Sequence, residues 1–430
     1  VTDSITLTSR TRMEHSDLIY IGTLPQSPVT TNSNPQLWTF TASPQSRNQW
    51  VDVIANQQDA NFKFDTGPIK HTAVVGTEIS NEKVSINRYT GLSSEFFGAG
   101  AFSGNGALSG QSISAPAYTG IPFTTLPSLG ATPTRYDVDT RSFYVTDTAN
   151  WQDKVILNGG IRYDNYNMWA GTTAANTTKL PSEFVNYNGS VVYKPLPIGS
   201  IYAAYATSTN PFGSELDGTG TDYGAPVPGG TILGAERNKG AEVGTKWELF
   251  DRHLLVSGAL FHTTKDNARE TVSGVLTSGA AYRIQGIDLE ASGNLTDRWS
   301  IFGGLVLMQS KVTQSGVASN IGLQLANIAH QSFSLLSKYK FDDGWEVGGQ
   351  AVFRSKVYGG TFGANTGTLI PSYWRFDAFV EKKIDAHWTM KLYAQNLTNK
   401  LYYDTLYRSA APFVAVAPGR AFYIVTTAKF

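Results

Sequence analysis

The chain has 430 residues, a formal net charge of zero, 42 Gly, 21 Tyr, 22 Phe, 9 Trp and no Cys. Neutrality removes any global pull toward nucleic acid, and the lack of Cys removes disulfides and thiolate metal sites. No run of about 18 uninterrupted apolar residues offers a transmembrane helix, yet 12% aromatic and only 16% charged residues suit a membrane wall of strands, where only alternate residues face lipid.

In chain order, a first strand reads from Ser4 to Tyr20. Farther on, Val155, Leu157, Gly159, Ile161 and Tyr163 alternate with Lys154, Asn158, Arg162 and Asp164. Trp345, Val347, Gly349, Ala351 and Phe353 alternate with Glu346, Gly348, Gln350 and Arg354, and Trp388, Met390, Leu392 and Ala394 with Thr389, Lys391, Tyr393 and Gln395. The period is two, with one face suited to hydrocarbon and the other to water. A soluble sandwich also alternates, but with strands of about five or six residues, whereas these segments read as roughly 10–18 residues and reach across a bilayer at a tilt.

Connections alternate in length. Tight ones fall at Asp65 to Pro68, Asn150 to Asp153, Pro195 to Pro197, Phe250 to Arg252, Leu295 to Arg298, Asp342 to Gly344, and Asp385 with Ala386. Long ones, rich in Gly, Ser, Thr, Asn and Pro, fall at 88–134, 169–182, 210–234, 269–280, 314–327, 359–368 and 398–418. Short turns on one side and long loops on the other predict a transmembrane antiparallel β-barrel of about sixteen strands, all-β, over a single domain of residues 1–430. Trp151, Trp247, Trp299, Trp345, Trp374 and Trp388 sit where strands meet connections, as interfacial girdles require. Val1 opens no signal peptide, so the chain reads as mature, processed or truncated.

Seven segments, in order along residues 67–430, resemble the TonB-dependent receptors of ferric siderophores. They are GPIKHTAVVGTE from Gly67, GGIRYD from Gly159, YAAYATSTNP from Tyr202, LGAERNKGAEVGTK from Leu233, RIQGIDLE from Arg283, QNLTN from Gln395 followed by Tyr402 and Tyr403, and PGR from Pro418 followed by a terminal Phe430. The texture is closest to catecholate-type receptors. The resemblance implies a plug followed by a 22-stranded barrel, energised through TonB with ExbB and ExbD, set as a monomer in outer-membrane lipid and lipopolysaccharide, and carrying a ferric siderophore as cargo with no covalently bound cofactor. The chain departs from that pattern in lacking a recognisable plug and TonB box, and its first strand corresponds to a middle strand of the full barrel. It therefore reads as a C-terminal portion, or else as a plugless sixteen-stranded channel. The alternatives are a passive porin, with 88–134 as constricting loop, and a same-family receptor for haem, cobalamin or an oligosaccharide.

For catalysis there is no GxSxG, HExxH or phosphate loop. His15, His71, His253, His262, His330 and His387 are scattered without metal-ligand spacing and read as wall or turn residues, though His262 near a loop and His330 at a strand start keep haem open. A ferric tris-catecholate is bulky, flat-faced and anionic, so its receptor needs cations beside aromatic faces. Loop ends supply both: Arg88, Tyr89, Phe102, Tyr118, Trp169, Tyr223, Arg237, Arg269, Tyr358, Arg408 and Phe413. Arg162, Arg283, Arg354, Arg375 and Arg420 read as lumen residues, paired with acids such as Asp164, Asp288, Glu290 and Asp377. No metal ligand and no catalytic residue is assigned.

Overall fold

A computed structural model of the chain describes residues 4–90, 108–115, 128–172, 178–213, 232–359, 367–407 and 413–430. Sixteen long strands form one sheet: β1 (Ile5–Val29), β2 (Thr39–Thr66), β3 (Ile69–Asn87), β4 (Thr134–Trp151), β5 (Val155–Gly171), β6 (Thr178–Leu196), β7 (Gly199–Asn210), β8 (Glu236–Leu249), β9 (Leu254–Val272), β10 (Val275–Asn294), β11 (Trp299–Gln314), β12 (Gln331–Lys340), β13 (Trp345–Arg354), β14 (Tyr373–Lys383), β15 (Trp388–Gln395) and β16 (Ala421–Ala428). Each is antiparallel to its neighbours in the chain. A short seventeenth strand, Leu108–Ser112, lies along the loop end of β2. Among the described residues no pairing joins β1 to β16, so the wall has two open edges. No described helix is long and apolar enough to cross a membrane.

The short connections form where the sequence places them. Gly67 takes φ +62 between β2 and β3, and Phe250, Asp251 and Arg252 all adopt positive φ between β8 and β9. Three expectations differ. The first strand runs on to Val29, making the β1–β2 hairpin taller than its alternation suggests. Residues 169–182 are mostly strand, since β5 continues to Gly171 and β6 begins at Thr178. The predicted loop 269–280 is a hairpin, with β9 and β10 joined by Ser273 (φ +51) and Gly274 (φ +81). Two consecutive positive φ values match the twist of the flanking strands, so two residues suffice.

Alternation sorts every strand into an outer and an inner face. On β5, Leu157, Ile161 and Tyr163 are exposed outward, while Arg162 is half-buried and Asp164 buried on the inside. At the short-turn rim Trp151, Trp299, Trp345 and Trp388 lie exposed; Trp247 shares their face, its Nε1 donating to Thr245 Oγ1 at 2.6 Å. Trp374 belongs to a second ring toward the long loops, stacked on Phe376 and packed against Phe333 and Phe353. From Trp299 to Leu307 the outer face of β11 advances eight residues, about 27 Å along the strand at ~3.4 Å each. At a tilt of roughly 35–45° that is a rise of about 19–22 Å, most of a hydrocarbon band of about 25 Å. Inside, at the loop ends of β3–β6, a core gathers Val84, Ile86, Tyr136, Val138, Met168, Ala170 and Leu180 with Phe212 from the chain after β7.

Candidate ligand-binding site

Inward-facing charges concentrate in three networks. Midway up the wall, Arg162 Nε donates to Asp164 Oδ1 at 2.8 Å and its guanidinium reaches Glu78 at 3.2 Å. Ser142 Oγ donates to Asp164 at 2.6 Å, and the Tyr144 ring lies 5.5 Å from the guanidinium carbon. Because directly opposed residues on neighbouring strands share a face, β3, β4 and β5 neutralise one another across the wall, as the sequence pairing of Arg162 with Asp164 requires.

Near the loop rim, Glu236 of β8 is buried and accepts from four groups. Asn210 donates at 2.9 Å, Lys265 Nζ at 3.0 Å, the backbone N–H of Arg269 at 3.0 Å, and the Arg269 guanidinium lies at 3.3 Å. Arg269 is 3% exposed and sits over the Phe212 ring. The local cause is a bulge: β9 shifts register between Lys265 and Ala268, Asn267 takes φ +56, and Gly279 is skipped opposite at φ +116. Such an extra residue re-aims side chains, and Ala268, Arg269 and Glu270 are buried in succession.

The third network underlies the C-terminal connection. Arg354 donates to the backbone oxygens of Asp404 and Tyr403, both at 2.7 Å, and lies 5.2 Å over the Tyr373 ring. Tyr373 packs on Tyr402 at 4.4 Å. Arg375 contacts Asp377 at 3.0 Å and donates to the Tyr402 hydroxyl at 3.3 Å. Asn396, fully buried, donates to Lys400 and Pro418 oxygens and accepts from the Lys400 N–H. The QNLTN motif is thus a clamp that fixes the ends of this connection. Close by, Lys356 stands 5.4 Å from the Tyr358 ring.

Of the expected ligand contacts, Phe102, Tyr118, Tyr223 and Arg408 lie outside the described residues, and Phe413 is described only in its backbone, paired with Tyr407. Arg88 is exposed; the half-buried Tyr89 pairs with Leu129, as Thr90 pairs with Ser128, at the mouth. Tyr358 also sits at the rim, paired with Leu369. Arg269 is committed to Glu236. Trp169 and Arg237 share the outer faces of Tyr163 and Val243, so the structure does not bring them together with the inward groups. Arg283 corrects the lumen assignment. It pairs with Thr264 and Lys311 on the face of Ile287 and Leu289, turned outward, while Asp288 and Glu290 point inward without it. Arg420 precedes β16 and is held by Asn399 and Leu397. His262 and His330 line one cleft. Sequence reading missed Tyr373 and Lys356; the signal available was a cation within two residues of a tyrosine at a strand end.

Comparison with known proteins follows this geometry. A family model described as TonB dependent receptor-like, beta-barrel, matches residues 5–397. The chain is 32% identical over 397 residues, 86% of its length, to the probable TonB-dependent receptor BfrD of Bordetella pertussis, covering 51% of that protein. It is 28% identical over its full length to the probable TonB-dependent siderophore receptor PiuA of Acinetobacter baumannii, covering 59%. The crystal structure of PiuA superposes with a TM-score of 0.83 over 99% of this chain and 62% of that one. The ferric-catecholate import receptor Fiu of E. coli K12, in its closed form, superposes at 0.84 with 20% identity over 100% and 62%. The chain therefore spans between half and two thirds of the length of these relatives. With the matched family model and the paired, two-faced wall, the chain belongs to the TonB-dependent receptor β-barrel family, the integral barrels of the Gram-negative outer membrane.

Proposed function

We propose that this chain is the barrel wall of a receptor that takes up a ferric siderophore of catecholate type, coupled to TonB with ExbB and ExbD. The observation that carries the reading is the set of cations laid over tyrosine faces beneath the loops: Arg354 over Tyr373, with Tyr402 packed against that ring at a tilt, and Lys356 over Tyr358. An anionic chelate with flat aromatic arms is met by both halves of such a pair, because the cation takes the charge and the ring takes the arm. Arg88, which has no carboxylate within 4 Å among the described residues, adds a cation at the mouth beside Tyr89. The relatives support the ligand class, PiuA being named a siderophore receptor and Fiu a catecholate siderophore receptor. The iron arrives already chelated, so the protein offers no ligand to the metal.

The test is titration of the full-length receptor with an iron tris-catecholate, followed by quenching of tryptophan emission. Lys356→Gln and Tyr358→Ala should each weaken binding by about threefold to tenfold, the worth of one cation–aromatic contact. Saturable binding of haem, cobalamin or an oligosaccharide, with no response to the catecholate, would move the protein to another ligand class. Permeation by small solutes without TonB would support the passive pore.

A further inference from the structure

Three polar side chains on the lipid side of the wall form a chain that ligand uptake does not use. His71 Nε2 lies 2.8 Å from Thr66 Oγ1, and His71 Nδ1 lies 2.7 Å from Asp147 Oδ2. The imidazole is stacked on the Phe64 ring at 4.7 Å, with only 2° between the planes. Pairing fixes the facing of all three. Thr66 opposes Ile69, and Ile69 opposes Trp151, which is exposed at the short-turn rim. His71 opposes Phe64 and Ala149, and Asp147 opposes Ala73 and Gly159, on the face of Leu157 and Ile161. An ionisable pair facing lipid is costly and marks a function. The second carboxylate oxygen of Asp147 is closed off from water and has no hydrogen-bond partner.

The order of the contacts is that of a nucleophile, a base and a carboxylate that orients the base. With Nδ1–H donating to Asp147, Nε2 is left to accept the Thr66 hydroxyl proton. The stacked Phe64 holds the ring plane. Thr66 is exposed and is followed by Gly67, whose N–H makes no hydrogen bond among the described residues. The N–H of the residue after a nucleophile can take the charge of an oxyanion. The level of Thr66 identifies the substrate. It shares a row with Ile69 and Trp151, at the depth where headgroups meet acyl chains on the short-turn, periplasmic side. Ester carbonyls of glycerophospholipids lie at that boundary. Ala73, Ala149 and Gly159 are small, so an acyl chain can lie over them above the hydroxyl.

We propose that Thr66, His71 and Asp147 form a hydrolytic triad that cleaves acyl esters of glycerophospholipids in the periplasmic leaflet. Thr66 Oγ1 attacks the ester carbonyl carbon while its proton passes to His71 Nε2. The carbon–oxygen bond to the glycerol breaks, and the leaving alkoxide takes that proton and departs as lysophospholipid. Water, deprotonated by the same Nε2, then attacks the acyl-threonine, releasing a fatty acid and restoring the hydroxyl. Asp147 touches no substrate and acts by positioning the ring. The site lies on the outer wall and is independent of which ligand the lumen carries.

The experiment uses the full-length receptor from a host lacking outer-membrane phospholipase, in mixed micelles with diacyl phosphatidylethanolamine, and follows release of fatty acid. The wild type should release fatty acid and lysolipid in equal amounts, and should leave the ether-linked analogue intact. Thr66→Val should fall to the rate of protein-free micelles, whereas Thr66→Ser should keep activity. Asp147→Asn should lower kcat by about hundredfold or more with KM within about twofold, the signature of a misplaced tautomer rather than a lost contact. A long-chain alkyl fluorophosphonate should label the wild type on the peptide carrying Thr66, a readout that needs no variant. Unchanged heat-modifiable gel mobility should report a folded barrel in each variant. Release by the wild type no faster than from protein-free micelles would overturn the assignment. So would equal release by Thr66→Val, cleavage of the ether-linked lipid, or labelling at another residue.

Discussion

Glu236→Gln separates an anchoring role for Arg269 from a ligand-binding one. Removing one member of a buried ion pair costs about 3–5 kcal/mol, because the other charge stays desolvated. The lower end applies here. The single amide oxygen of Gln can replace only one carboxylate oxygen, keeping either the bond from Asn210 or the one from the Arg269 N–H, and Lys265, with its side chain 36% exposed, can turn to water. Arg269, with its side chain 2% exposed, cannot. The expected loss is about 3 kcal/mol. Glu236→Gln/Arg269→Met removes the stranded charge and should recover part of it, giving a coupling of about 2 kcal/mol in the double-mutant cycle. Urea unfolding from phospholipid vesicles, followed by tryptophan emission, measures each term. A Glu236→Gln receptor within about 0.5 kcal/mol of wild type, or a strictly additive cycle, would refute the reasoning. Arg269→Met should lower stability while the folded fraction keeps its ligand affinity; a weakened affinity at unchanged stability would instead return Arg269 to the binding surface.

Other perturbations test the wall. Leu289→Arg places a cation in the apolar band and should destabilise by about 2–4 kcal/mol, whereas Asp288→Asn, one residue away on the wet face, should change stability by less than about 0.5 kcal/mol; refolding yields in vesicles compare the two. Asn396→Ala leaves the Lys400 and Pro418 oxygens and the Lys400 N–H without a partner and should cost about 2–3 kcal/mol, with faster proteolysis between residues 400 and 418 as the direct readout. Gly199→Ala drives a methyl into the Trp247 indole and should cost about 1–3 kcal/mol unless the ring swings away, which tryptophan emission would register as a shift.

Strand number, short turns and the outward aromatic rings were legible because each rests on local chemistry: a period of two, a run of turn formers, an amphipathic ring at a strand end. What was not legible depends on register. Arg283 lies in RIQGIDLE, where Ile284 is the apolar neighbour and invites the opposite facing; only the pairing of Ile287 with Leu260 and Leu307 fixes the parity. The hairpin through Ser273 and Gly274 was hidden because the bulge at Asn267 interrupts alternation, and a broken period reads as loop. Arg269 looked like a loop cation for the same reason. Its acid, Glu236, is 33 residues earlier, a separation that no local pattern reveals.

These same strands carry two separate chemistries, and the pleat keeps them apart. On β8 the inward Glu236 anchors Arg269, while the next residues outward, Arg237 and Lys239, face Asp266 on the side of Arg283 and Lys311. A slip of one residue exchanges every inner and outer side chain. It would put Arg283 and Lys311 among the inward groups and Glu242, Asp288 and Glu290 into hydrocarbon, with no partner in reach. The acidic lumen and the cationic outer rim therefore each penalise the wrong register, and together they specify it more sharply than either face could alone. The bulge at Lys265–Ala268 stands above the outer row of Lys239, Thr264, Arg283 and Lys311, so it re-aims Arg269 toward Glu236 without disturbing the facing of Thr264 or Arg283 below. Moving that irregularity two residues toward the short turns would disturb the facing of Thr264, the β9 residue that lies between Lys239 and Arg283, while Arg283 and Lys311 keep the parity set by their own pairing.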